Sequence, residues 1–170
     1  MTTRRATKIP ERLHEVLHYE PATGCWWWLV ATGSRAKVNG VAGCLHAATG
    51  YRMICVCGHR YKEHRLAWLY MTGAWPEHDI DHINGVRSDN RWANLREATR
   101  SQNKANQGPQ RNNTSGFKGV CWDKQIQRWK VRITKDGRHI FLGLFDAPEA
   151  AHAAYAEAAQ NMYGDFARAA

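Results

Sequence analysis

Hydrophobic and polar positions along the first half of the chain predict short alternating elements. In IPERLHEVLHYEP, Leu13, Val16 and Leu17 fall at helical spacing and predict a short helix or turn. CWWWLV reads as a strand, whose period of two puts Trp26 and Trp28 on one side and Trp27 on the other. Large aromatics filling a small core is the plainer reading of these tryptophans, with stacking on nucleic acid as its rival. YRMICVC and RYKEHR flank Gly58 like the arms of a hairpin, and HRLAWLYMTG continues as a helix ending at Gly73. HDIDHI and LREAT predict two short strands, with the turn-rich NGVRSDN after the first. Thr99-Arg100-Ser101-Gln102 has the form of a capping box and starts another helix.

The second half alternates more regularly. GFKGVCWDK, QRWKVRITKDG and RHIFLGLFD are strand-like runs separated by turn residues. In the middle run Trp129, Val131 and Ile133 share one face, and Lys130, Arg132 and Thr134 the other. KDGR contains the Asp-Gly pair of a hairpin turn. APEAAHAAYAEAAQNMYGDF is an alanine-rich helix with Pro148 in its first turn and Gly164 past its end. A three-stranded sheet covered by one helix follows, with Lys130 and Arg132 on the uncovered face. Two stretches break the patterns: residues 33–50, rich in Gly and Ala, read as a loop, and residues 104–116 as a polar linker. The expected fold class is α+β.

Composition narrows the class of partner. Lys and Arg exceed Asp and Glu to give a net charge of +9, which favours a polyanion, usually nucleic acid. No apolar run approaches a membrane span, and MTTRRATKIPERLHE lacks the apolar stretch of a secretory signal, so a cytosolic address and no membrane partner are expected. The five cysteines include no CxxC pair. Buried thiols acting as small hydrophobes are expected, with a zinc site from Cys25, Cys44, Cys55 and Cys57 as the alternative.

The stretch DHINGVRSDNRWANLREATRSQN places an acid beside a histidine and follows with repeated asparagines. Asparagine is a poor helix and strand former but carries a donor and an acceptor on a short stem. Two readings stand: a solvated loop, or a site for metal-assisted phosphodiester hydrolysis. In the second, Asp81 and the amide oxygen of Asn103 suit a hard divalent cation, and His82 can take a proton from water. Asn94 is placed to tie the loop to backbone groups and orient His82. His64 packs or caps where strand meets helix, and Arg65 is a phosphate contact or a structural ion-pair partner.

This stretch, preceded by HRLAW and its following Gly and Trp-Pro, resembles the His-Asn-His (HNH) motif of phage homing endonucleases over roughly residues 51–106. The resemblance implies His82 as general base, Asn94 as the structural middle asparagine, and Asp81 with Asn103 as ligands of Mg²⁺ or Mn²⁺. FKGVCW, RWKVRI, FLGLF and EAAHAAYAEAA resemble the plant ethylene-response-factor (APETALA-two type) DNA-binding domain over about residues 115–166. There the sheet lies in the major groove, which implies base contacts from Lys118, Arg132 and His139, with Trp122 and Lys130 as further contacts. Cys121 stands where the plant proteins often carry arginine, and Asp123 adds an acid, so no target sequence transfers.

The expected organisation is a nuclease domain over residues 1–106, a linker over 107–114 and a DNA-binding domain over 115–170. The function expected is a metal-dependent endonuclease acting on duplex DNA, as monomer or homodimer, phage or prophage encoded, in a bacterial cytoplasm. The alternative is a DNA-binding regulator whose nuclease module is inactive.

Overall fold

A computed structural model describes residues 9–32, 36–110 and 112–168. Residues 1–8 of the expected nuclease domain, 33–35 of the expected loop, Arg111 of the linker and the last two residues lie outside them. The chain divides into two compact units, Met1–Glu97 and Ala98–Ala170.

The first unit begins with α1 (Ile9–Val16), which runs into a hairpin of β1 (Leu17–Glu20) and β2 (Cys25–Trp28). Gly24 closes that hairpin at φ 74°, a conformation glycine adopts without the penalty of a Cβ, and donates its N–H to Glu20 O at 2.8 Å. The tryptophans alternate as expected: Trp26 and Trp28 are buried and Trp27 is half-buried. Trp26 packs on Tyr19 and Tyr70 with ring centroids 4.7 and 5.6 Å away. Burying each such side chain is worth roughly 1.5–3 kcal/mol or more, so this aromatic cluster anchors the unit.

A second sheet has the order β3 (Cys44–His46), β4 (Tyr51–Val56), β5 (His59–Lys62). The expected hairpin about Gly58 is β4 and β5, and α2 (Glu63–Thr72) follows directly. Gly73, at φ 76°, ends α2 by donating to Leu69 O. The expected loop over 33–50 is more ordered than composition implied. It contains β3, and Val41 bridges to Trp27. All three residues of β3 are exposed, so no hydrophobic alternation marks it in sequence. β6 (Asp79–His82) pairs with β7 (Leu95–Ala98), and a single turn of 3-10 helix at Trp92–Asn94 leads into β7.

The five cysteines are free and exposed, which corrects the expectation of buried thiols. In β4 the reason is strand parity: Ile54 and Val56 take the core positions, and Cys55 between them points outward. Among the described residues no three His, Cys, Asp or Glu side chains form a metal-holding group, so the zinc alternative gains nothing.

In the second unit, the capping box opens α3 (Arg100–Asn106): Thr99 Oγ1 accepts from Gln102 N, and Gln102 Oε1 accepts from Thr99 N. β8 (Val120–Asp123), β9 (Arg128–Lys135) and β10 (Arg138–Phe145) form an antiparallel sheet in the order β10-β9-β8. α4 (Pro148–Tyr163) covers one face through Ala151, Tyr155 and Ala159, against Val120, Val131 and Ile133. Alanine at two of these helix positions lets α4 lie close to the strands.

α3 is fastened to this unit by polar contacts. Lys118 Nζ donates to the carbonyls of Lys104, Ala105 and Arg168, capping the helix C-terminus with a cation. Ser101 Oγ hydrogen-bonds Tyr163 Oη at 3.2 Å and accepts from Asp136 N at 3.1 Å. Tyr163 Oη also donates to Thr134 O at 2.5 Å.

Gly119 sits at φ 74°, and a Cβ there would stand 2.3 Å from the Tyr155 ring and 2.7 Å from Arg132 O. Gly119→Ala should therefore destabilise the second unit by about 2 kcal/mol or more, from strain and overpacking together. Urea unfolding of the full chain checks this, and an unchanged midpoint would refute the close approach.

Candidate active site

Strand β6 carries Asp81 and His82 out of the sheet at its last two positions, both buried. His82 Nε2 lies 3.1 Å from Asn90 Oδ1. Asn90 Nδ2 donates at 2.9 Å to Glu63 Oε2, and Arg52 Nε bonds both Glu63 oxygens, at 2.9 and 3.1 Å. Four side chains from β4, α2, the loop and β6 thus form one continuous chain. Burial pushes Glu63 up, and Arg52 and Asn90 work against that shift. The one Arg52 Nε–H is shared between both oxygens, and a permanently charged donor facing the two favours the carboxylate over the carboxylic acid.

Two rings enclose His82. His64 meets it edge to face with centroids 4.9 Å apart, and Tyr51 lies at 6.1 Å. Lys62 and Arg87 stand over Tyr51, at 4.3 and 5.1 Å from its centroid. Burial lowers His82 below its ordinary range, opposed by the Asn90 hydrogen bond and the Asp81 charge, so the imidazole is neutral at pH 7. Burial, aided by the charges of His82, Lys62 and Arg65, pulls His64 down to about 3.

The loop after His82 is held by asparagines. Asn94 Oδ1 accepts from Asn84 N at 3.0 Å, and its Nδ2 donates to Asn84 Oδ1 and Asp89 O at 3.0 and 2.8 Å. Asn94 O also accepts from Ile83 N, the residue that follows His82. Asn94 thus ties the loop to backbone, while the ring of His82 is contacted by Asn90. Asp81 Oδ2 accepts from Arg96 Nε at 3.0 Å. Asn103 is on α3, in the second unit. Carboxylate and amide oxygens are the hard donors that Mg²⁺ or Mn²⁺ takes. Arg65 extends Nη1 toward His78 O at 3.5 Å.

On the second unit, register defines the face away from α4. Cys121 pairs with Lys130 and Asp123 with Arg128, while Arg132 stands opposite Phe141 and Thr134 opposite His139. Arg132 and His139 are exposed there, and His139 Nδ1 hydrogen-bonds Thr134 Oγ1 at 2.9 Å. Lys130 shares the face but reaches Asp123 at 3.4 Å. The remaining sequence candidates are placed differently. Trp122 pairs with Trp129, on the parity of Val131 and Ile133, and touches its ring at 5.0 Å. Lys118 spends its donors on two carbonyls at the end of α3 and on Arg168 O, and burial lowers it to about 8.

Comparison with known proteins agrees with this arrangement. Residues 61–105 match the HNH endonuclease family, and residues 115–165 match the AP2 domain. Protein 3.8 of Escherichia phage T7 is 31% identical over 108 residues, covering 63% of this chain and 88% of that protein. The chain belongs to the HNH endonuclease family. With an AP2 domain behind the HNH domain, it is a DNA-binding protein of nuclease type. No solved structure matches it.

The HNH match takes in Glu63 and Asn90 as well as His82, Asn94 and Asn103. Sequence reasoning passed over Glu63 and Asn90. The available signals were an acid opening the helix EHRLAWLYMT and an asparagine in excess of those the motif needs.

His64 has a pH signature. Unfolded, it titrates near its ordinary 6.5, whereas in the fold it titrates near 3. Between those values the unfolded chain holds a proton that the fold refuses. The contribution is therefore complete above 6.5 and is lost as pH falls toward 3, at up to about 1.4 kcal/mol per pH unit. Urea midpoints measured from pH 7 to pH 4 should fall more steeply for wild type than for His64→Phe. Parallel slopes would remove His64 as the source.

Proposed function

We propose that this chain is a homing-type, metal-dependent endonuclease that hydrolyses phosphodiester bonds in duplex DNA, with its C-terminal domain supplying site binding. The observation that carries this reading is a neutral, buried His82 beside Asp81, held by a hydrogen-bonded chain that fixes its ring. A neutral imidazole can accept the proton of an attacking water, which a surface histidine with a free ring does less well. Asp81 and Asn103 would hold Mg²⁺ or Mn²⁺, which polarises the phosphate and stabilises the leaving oxygen when bound. Asn94 keeps the loop closed under the site.

Lys130, Arg132 and His139 supply the contacts of the open sheet face, with Arg65 as a backbone contact and Trp122 at the sheet margin. The nuclease domain meets the phosphate backbone, common to every sequence, and the sheet selects the site. The phage relative supports a phage or prophage origin and action in a bacterial cytoplasm. No helix among the described residues is long and apolar enough to cross a membrane. One HNH site cuts one strand, so a monomer nicks and a homodimer can break both.

A second reading, a DNA-binding regulator with a silent nuclease module, is favoured by the contact of Arg96 on Asp81, since a carboxylate engaged by arginine is a weaker metal ligand.

A supercoiled-plasmid assay with Mg²⁺, Mn²⁺ or EDTA separates the two. Wild type should cleave only with metal, and His82→Ala should be slower by roughly 10² to 10⁴ with DNA binding intact. Equal rates would sink the role of His82. No metal-dependent cleavage of plasmid or phage and host DNA, with tight binding, would select the regulator. With six to ten phosphate contacts, affinity should fall by roughly 10³ to 10⁵ between 50 and 200 mM salt. A much flatter dependence in a binding titration would refute an extended DNA interface.

A further inference from the structure

We infer that Asn90 and Glu63 are positioning residues that set the tautomer of His82, holding the proton on Nε2 and the lone pair on Nδ1. The inference rests on the reading of His82 as the base and assigns which nitrogen does the work.

The direction of the hydrogen bonds follows from the buried end of the chain. Glu63 is 0% exposed, and Arg52 donates to both its oxygens. An ionised carboxylate only accepts, so the Asn90 atom 2.9 Å from Glu63 Oε2 must be the donor, Nδ2. With the amide fixed that way, Oδ1 faces His82 at 3.1 Å. An amide oxygen also only accepts, so Nε2 must carry hydrogen. Reversing the Asn90 amide would set an oxygen against a carboxylate and an NH₂ against His82. That buried oxygen pair is the arrangement folded proteins avoid.

The rest of the fold leaves little room for another arrangement. Asn90 is 2% exposed, and its backbone carbonyl accepts the Tyr19 hydroxyl at 2.6 Å. Opposite Glu63, Gly43 adopts φ 87°, and a Cβ there would lie 2.1 Å from Glu63 Oε1. The glycine is what makes space for the carboxylate. His64, kept neutral against the ring of His82, adds no competing charge to this arrangement.

The consequence is a division of labour in one imidazole. Nε2 is the anchor, and Nδ1 is the nitrogen that accepts the proton of the attacking water. Carboxylates that orient catalytic histidines do so directly in many sites. Here a single amide stands between, so the carboxylate fixes direction without placing its charge against the ring.

The test is long-range ¹⁵N–¹H correlation of the full-length chain with labelled histidine at pH 7.5, beside plasmid cleavage. Wild type should give His82 a protonated Nε2 and an unprotonated Nδ1. Asn90→Ala should move both nitrogens toward averaged values and slow metal-dependent cleavage by roughly 10- to 100-fold, with DNA affinity unchanged. Glu63→Gln, which keeps shape but frees the Asn90 amide to turn, should move the nitrogens in the same sense and covers the case of a misfolded Asn90→Ala. A protonated Nδ1 in wild type, or an unmoved Nε2 proton in either folded variant, overturns the inference. If the tautomer behaves as stated but wild type does not cleave, the role of His82 as base fails and the hydrogen-bond order stands.

Discussion

The first unit is organised around one buried charge. Glu63 sits at the start of α2 with no exposed surface, and an unpaired carboxylate there would be prohibitively costly. Its compensation comes from three directions. Arg52 reaches it from β4, Asn90 from the loop after β6, and Gly43 yields the space before β3. Because each partner belongs to a different segment, satisfying one charge fixes the mutual placement of a strand, a helix and a loop. The histidine inherits its orientation from that fixture. Removing either partner leaves a buried charge without compensation, which is why such networks are all or nothing.

The second unit solves a different problem. A three-stranded sheet cannot bury both faces with one helix, so α4 takes one and the other stays open. The open face is not apolar throughout: Arg132, Thr134 and His139 lie on it, and Phe141 is exposed at its centre. A surface of basic and polar side chains around an aromatic suits the edges and backbone of a nucleic acid better than a protein core.

Elements with local signatures were legible in the sequence. The capping box at Thr99, the turn glycines at 58 and 73, and the alternation of β9 each depend on neighbours a few residues apart. β3 was not legible, because three exposed residues in a Gly-rich stretch show no pattern. The cysteines misled because type alone says buried, whereas strand parity put Cys55 outside. In the site, DH and the late asparagines marked the stretch that the HNH match covers. The support for His82 did not show, since Arg52, Glu63 and Asn90 are far apart in sequence and meet only through folding. The setting of Lys118 was equally hidden: a basic residue before a strand reads as a DNA contact, and nothing local says that its ammonium also lies against the end of a helix.

That clasp bears on how such proteins are assembled and exchanged. Between the HNH match and the sheet, the polar stretch beginning at Gln107 looks like the natural seam between the two family domains. Yet α3 is fastened to the sheet's own unit through Lys118, Ser101 and Tyr163. A recombination joint at the polar stretch would leave that helix behind without its anchors. The compact unit runs instead from Ala98. The last helix of the HNH match is thus built into the same compact unit as the AP2 domain, so that domain could not be exchanged alone without uprooting it.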